Sequence, residues 1–223
     1  MACPEGLSSG SSGSFCFRRI GSGSKGSKDG LWFEASFSYP SGVVGVSTET
    51  TIVSDYGSHI LRRILLSTAA AEVETIVGAV NRPGWKDGDA AAARFNHPMG
   101  LSLGRSSAEI LVADGFNHRI RSLDLNTMVV STLAGTGFAG ATDGPANSSQ
   151  FNFPSALAVQ NQVVYITDMY NNNVRLLDLV TMQVSTLVNG ILYPMGVTLV
   201  PNTPFIAVSD QLSQRYFLTY NYI

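Results

Sequence analysis

Four aspartates close four short apolar runs: "TTIVSD" ends on Asp55, "EILVAD" on Asp114, "VVYITD" on Asp168 and "PFIAVSD" on Asp210. An arginine stands seven residues after each of the first three, at Arg62, Arg121 and Arg175. Carboxylates serve as general acids and bases or as ligands to hard cations. Recurrence argues against both roles here. A catalytic carboxylate is needed once, whereas one placed in every repeat is expected to cap a turn by accepting backbone N–H bonds. An Asp–Arg pair, within or between repeats, is its natural companion. All seven residues are therefore expected to be structural.

Histidine decides the metal question. His59 and His118 share a slot four residues after the aspartate, where the third copy carries Asn172. His97 falls in line with Tyr39, Phe153 and Tyr193, an aromatic packing position. A catalytic zinc site wants about three converging His or carboxylate ligands, and these histidines belong to different repeat-determined positions. No metal and no cofactor are predicted. A Ca²⁺ ringed by oxygens in a central channel is the one ion arrangement the sequence leaves open. There is no Gly-x-Ser-x-Gly elbow, no Gly-Lys-Ser/Thr phosphate loop and no Cys-x-x-Cys pair,. "GTGFAG" has the wrong spacing for a dinucleotide fingerprint and reads as a turn. The chain is expected not to be an enzyme.

The elements behind these residues repeat. In "GSKDGLWFEASFSYPSGVVG", "GWKDGDAAAARFNHPMGLSL" and "GATDGPANSSQFNFPSALAV", Asp-Gly is followed by Phe eight residues after the Asp, and Pro comes three beyond that Phe. The prolines are Pro40, Pro98 and Pro154; a fourth copy starts at Pro194 without the Asp-Gly insert. After each Pro comes a short β-like run, then the run closed by Asp, then a polar turn and a third run: "HILRRILL", "RIRSLDL", "NVRLLDL", "RYFLTY". A fourth run, "VETIVG", "VVSTLAG" or "QVSTLV", follows in the first three copies only. Short runs rich in Val, Ile, Leu and Thr between Gly, Asn and Asp turns read as strands. Four antiparallel strands per repeat, all-β, with long loops at one end, describe β-propeller blades. About four blades are present, as a closed four-blade ring or as part of a larger propeller.

Composition bounds the rest. Charged residues are 13% of 223 and the net charge is −2, which argues against a nucleic-acid partner. No apolar run approaches the ~20 residues of a membrane span, and the N-terminus lacks the apolar core of a signal peptide, so no compartment is assigned. The Gly/Ser-rich residues 1–14 read as a flexible arm, with residues 15–223 forming the propeller. The two cysteines, Cys3 and Cys16, read as free thiols or a single local disulfide. Asn147-Ser-Ser matches a glycosylation acceptor by pattern alone.

The segments "VADGFNHRIRSLDL", "ITDMYNNNVRLLDL" and "VSDYGSHILRRILL" resemble the NHL repeat, with Asn117 and His118 matching the first two letters of its signature and Arg119 or Ile120 standing where Leu would be. The resemblance runs from about residue 15 to residue 210. It implies a β-propeller, usually six-bladed in this family, that serves mostly as a binding platform. The fourth copy departs from it, since "QLSQRYF" lacks the Asn-His-Arg turn.

Partner binding is then expected on the loop face, where aromatic and Arg residues on a rigid rim make interaction hot spots. The candidates are Tyr56, Phe116, Met169 and Tyr170 from one set of loops, and Arg82 and Trp85 from the other. Trp32, Lys86 and Phe138 stand beside the second set, with Trp32 expected to be buried. The predicted partner is a protein. Other readings are RNA binding, and a propeller hydrolase or lyase with a channel metal. The ends carry one more expectation. Gly21, Gly23, Gly26, Asp29 and Gly30 align without a gap on Gly135, Gly137, Gly140, Asp143 and Gly144, so residues 15–20 are placed as a fourth strand for the C-terminal blade. If the ring does not close that way, the open edges are available for self-association.

Overall fold

The computed structural model describes residues 8–9, 16–17, 19–66 and 70–220. Four antiparallel sheets stand as blades around a common channel. Blade I is Pro40–Gly45, Thr50–Asp55, Ile60–Leu66 and Ala71–Gly78; blade II is Pro98–Leu103, Glu109–Asp114, Arg119–Asp124 and Val129–Ala134. Blade III is Pro154–Gln160, Val163–Asp168, Asn173–Asp178 and Gln183–Asn189, and blade IV is Pro194–Leu199, Phe205–Asp210 and Arg215–Tyr220. Among the described residues, helix is confined to three single 3₁₀ turns. Among the described residues no helix is long and apolar enough to cross a membrane.

Strands buried on both faces explain the continuous apolar runs. In blade II, Ile110 and Val112 pack toward blade I beside Ile52 and Leu61, while Leu111 and Ala113 pack toward blade III beside Val164 and Ile166. Ala158, Tyr165 and Val174 of blade III meet Ile206 and Val208 of blade IV. Each fully buried aliphatic side chain contributes roughly 1.5–3 kcal/mol. At the channel the blades converge so closely that small residues are required. A Cβ on Gly100 would lie 2.6 Å from the Ala156 Cα, and one on Gly42 would strike the Met99 carbonyl oxygen.

The first three blades have five strands where four were expected. The Asp-Gly insert lays Gly30–Leu31, Gly88–Asp89 and Gly144–Pro145 along the outermost strand of the blade it precedes. One buried arginine per blade holds it there. Arg121 Nη1 donates to Asp114 Oδ2 at 2.7 Å and to the Arg94 carbonyl at 3.1 Å; its Nη2 donates to the Lys86 carbonyl and to Asp87 Oδ1. Arg175 repeats the pattern with Asp168, Gln150 O, Thr142 O and Asp143. Arg62 does so with Ser36 O, Lys28 O and Asp29, and its Asp55 partner sits at 3.5 Å. Each guanidinium also lies 5.0–5.4 Å over the ring of the spaced phenylalanine: Phe37, Phe95 or Phe151.

Of the strand-end aspartates, Asp55, Asp114 and Asp168 accept no backbone N–H from their own 3₁₀ turns, whereas Asp210 does cap its turn, accepting from the Ser213 N–H at 2.8 Å. Each reaches back to the entry of the blade's first strand, where it accepts from the N–H of Ser38, Asn96, Asn152 or Leu192 at 2.6–2.9 Å. Burial pushes the carboxyls of Asp55 and Asp168 above the ordinary range, and that of Asp114 up to about 6, against the opposing pull of the neighbouring arginine. Blade IV has Asp210 but carries Phe217 where the arginine would be.

The placement of residues 15–20 in blade IV is conditional on the ring closing within the chain, and the described ones among them do not join that blade. Cys16 and Phe17 pair with Ser9 and Ser8, and among the described residues Arg215–Tyr220 pairs with Phe205–Asp210 alone. The aligned glycines belong to the insert, and their register says nothing about which strand precedes them. Cys3 and most of the 1–14 arm lie outside the described residues.

Removing Asp114 leaves Arg121 buried with its main counter-ion gone, so Asp114→Ala should cost about 3 kcal/mol or more. Asp87 is half-exposed and shares the guanidinium with three other oxygens; Asp87→Ala should cost only about 1 kcal/mol. Urea melts compare the two directly, and equal shifts in midpoint would contradict this division of roles.

Candidate functional site

The three 3₁₀ turns, Tyr56–Ser58, Gly115–Asn117 and Met169–Asn171, each end on a left-handed residue: His59, His118 or Asn172. A second left-handed residue precedes each repeat proline: Tyr39 (φ 55°), His97 (55°), Phe153 (62°) and Tyr193 (53°). Bulky side chains at positive φ are outliers that the surrounding structure must hold in place. A clasp between blades does so. His97 N–H donates to His59 Nδ1 at 3.1 Å, Phe153 N–H to His118 Nδ1 at 3.2 Å, and Tyr193 N–H to Asn172 Oδ1 at 3.0 Å. An accepting Nδ1 requires a neutral imidazole with its proton on Nε2. Burial lowers the pKa of His59, and burial followed by the nearby Arg119 charge lowers that of His118.

The clasps align the rings. Tyr56 meets His97 with centroids 4.4 Å apart, His97 meets Phe116 at 4.7 Å, and Phe116 meets Phe153 at 4.7 Å; Phe153 meets Tyr170 at 4.9 Å and Tyr170 meets Tyr193 at 5.5 Å. This unbroken chain of rings runs across four blades. It borders a cavity of ≈ 360 Å³ at the channel mouth, lined by Tyr39, Pro40, Ser41, Tyr56, Met99, Phe153, Met169, Tyr170, Tyr193, Met195 and Gln211. No formally charged side chain is among them. Such a wall favours aromatic, aliphatic or thioether groups and disfavours an unpaired charge.

Of the residues predicted for the loop face, the structure brings Tyr56, Phe116 and Tyr170 into this chain. Met169 is buried beneath it with Met99 and Phe153, forming floor rather than rim. Trp85 stands apart and exposed, with the Arg119 guanidinium 4.8 Å over its ring. Arg82 is exposed on the connection leaving blade I. Trp32 packs into the blade I cluster. Sequence reasoning gave Tyr39, His97, Phe153 and Tyr193 a packing role and passed over Met99, Met195 and Gln211. The signal for the first four was the ring side chain before every repeat proline. Asp55, Asp114, Asp168 and Asp210 are buried below the mouth. Among the described residues, no three His, Cys, Asp or Glu side chains gather as a metal site.

No family model matches the chain. It is 33% identical over 183 residues to NHL repeat-containing protein 2 of Bos taurus, an alignment covering 76% of this chain and 25% of that protein. The chain thus spans about a quarter of the length of that relative. Its fold is similar to an auxiliary nutrient binding protein from Bacteroides thetaiotaomicron, with a TM-score of 0.64 and 12% identity over 84% of this chain and 49% of that one. It is also similar to a gluconolactonase from Xanthomonas campestris, with a TM-score of 0.63 and 12% identity over 82% and 59%. At such identities the two structures speak for the fold alone.

A folded-state histidine pKa below the unfolded value means that, as pH falls through about 6.5, the unfolded chain takes up the proton first. The clasp's stabilisation is complete above that pH and declines below it. His118→Asn keeps an acceptor, as Asn172 does, without the titration. The variant's urea midpoint should therefore gain on the parent's as pH is lowered from about 7.5 to 5.5. A difference that does not change with pH would contradict the clasp.

Proposed function

The chain belongs to the NHL-repeat β-propeller family, and from that premise we propose that it is a non-catalytic protein-interaction module binding through its loop face. The observation that carries this reading is the charge-free aromatic and methionine wall at the channel mouth, held by backbone clasps that repeat from blade to blade. Rigid rings lose little conformational entropy on binding, and Tyr adds a hydroxyl at the rim for a partner's backbone amide. The bound part of the partner is accordingly apolar, such as an aromatic or long aliphatic side chain on a protein segment. Trp85, exposed with the Arg119 guanidinium 4.8 Å over its ring, offers a second, separate contact. The 14 basic residues stand against 16 acidic ones, and Lys25, a cation beside the cavity lining, is stacked on the Tyr39 ring, so protein is favoured over RNA.

Replacing Tyr56, Phe116 and Tyr170 together by Ser should abolish capture of the proteins retained by the parent chain in affinity purification with mass spectrometry. Far-UV circular dichroism should remain that of the parent. Undiminished capture by a folded triple variant would place the binding surface elsewhere.

A further inference from the structure

Three internal junctions show what each side of a blade is built to touch. The residue three after the repeat proline faces the preceding blade, and in blades II and III it is buried: Leu101 is 8% and Leu157 6% exposed. In blade I the same position is Val43, 65% exposed. It borders a hollow of ≈ 300 Å³ shared with Ile20, Phe37, Val53 and Ile64. The residue six after the strand-end aspartate faces the following blade. Leu61, Ile120 and Val174 there are fully buried, whereas Tyr216 of blade IV is 76% exposed. Tyr216 borders a second hollow of ≈ 300 Å³, with Thr198 and Ala207. Hydrophobic clusters join blades I to II, II to III and III to IV; among the described residues none joins IV to I.

The polar clasp is divided in the same way. Tyr39 is left-handed in the place of His97, Phe153 and Tyr193, yet among the described residues its N–H meets no acceptor. Gln214, also left-handed at φ 56°, fills the slot of His59, His118 and Asn172, and among the described residues its side chain accepts from no N–H. One end of the chain holds an unused donor beside an uncovered apolar face. The other holds an unused acceptor beside the complementary face.

We infer that this chain associates with a second copy of itself head to tail, the free face of blade I in one copy docking on the free face of blade IV in the other. The contact repeats the junction already made three times within the chain, with the Tyr39 N–H of one copy donating to Gln214 Oε1 of its neighbour. Both halves lie on one chain, and they are different surfaces. The contact is therefore heterologous, and each copy can engage two neighbours.

Sedimentation velocity on the purified 223-residue chain, from about 1 to 100 µM, tests this directly. The parent should form concentration-dependent species larger than its 23.8 kDa monomer. Val43→Glu and Tyr216→Glu each bury a charge in an apolar junction, and each should weaken self-association at least about tenfold. Both sites are on the surface, and a circular dichroism melt checks that each variant folds; Val43→Ser and Tyr216→Ser serve if a charge unfolds the chain. Mixed in equal amounts, the two variants should form a one-to-one dimer and nothing larger, since each retains the face the other has lost. A parent that stays monomeric, variants that self-associate like the parent, or a mixture that stays monomeric would overturn the proposal.

Discussion

A guanidinium with no exposed surface, shared among two carboxylates and two backbone carbonyls, sits at the centre of each of the first three blades. Few side chains can do this. Arginine offers a planar fork of donors and remains charged when buried, whereas lysine would present one point charge on a flexible stem. The arrangement is nearly saturated: Nε has no hydrogen-bond partner in any of the three copies, and in blade I Asp55 Oδ2 has none either. Its reach is what matters most. One side chain, rising from the third strand, ties the end of the second strand to an insert that begins more than thirty residues earlier. The insert aspartate in turn receives the hydroxyl of Thr75, Thr132 or Thr186 on the fourth strand. These contacts fall at a register shift between the third and fourth strands in every blade that has them.

Blade IV keeps the strand-end Asp210 but lacks the parts that the arginine joins to it. It has no Asp-Gly insert, Phe217 stands in place of the arginine, and among the described residues it has no fourth strand. A buried arginine without the insert's aspartate and carbonyls would be left with much of its charge and most of its donors uncompensated. Replacing it with an apolar residue is the physically consistent alternative. The loop face depends on the pinned inserts too, because each insert ends at the left-handed ring residue before the proline. Once the insert is fixed, the His or Asn of the preceding blade can hold that residue's N–H, and the rings fall into contact from blade to blade.

Much of this was legible in the residues. Pairing between Asp114 and Arg121 follows from their spacing across one hairpin, which puts both on the same sheet at short range. Strand order within a blade follows from the short apolar runs and the turns between them. Asp87 was not assigned as a partner of Arg121, because its distance along the chain is bridged only by the fold. The spaced Phe95 was visible as a repeat mark but not as the platform under the guanidinium, for the same reason. His59 and His118 shared a slot with Asn172, which hinted at a hydrogen-bonding role common to the two residue types. That the acceptor served the next blade's backbone depended on a positive φ at His97 and Phe153 that propensity gives no reason to expect. The end strand was misplaced because glycine register reports turns, and pairing is set by which edges are free.

Native-state hydrogen exchange tests most directly whether the buried arginine makes insert and blade one cooperative unit. The account predicts that amides within residues 86–95 and 142–151 that bond to protein acceptors, such as the Arg94 and Gln150 N–H groups, exchange with the same opening free energy as the strands of blades II and III. In Arg121→Met the first of these segments should lose protection while the second keeps it. Insert amides exchanging orders of magnitude faster than the strands in the parent chain would contradict the claim, and so would unchanged protection in the variant.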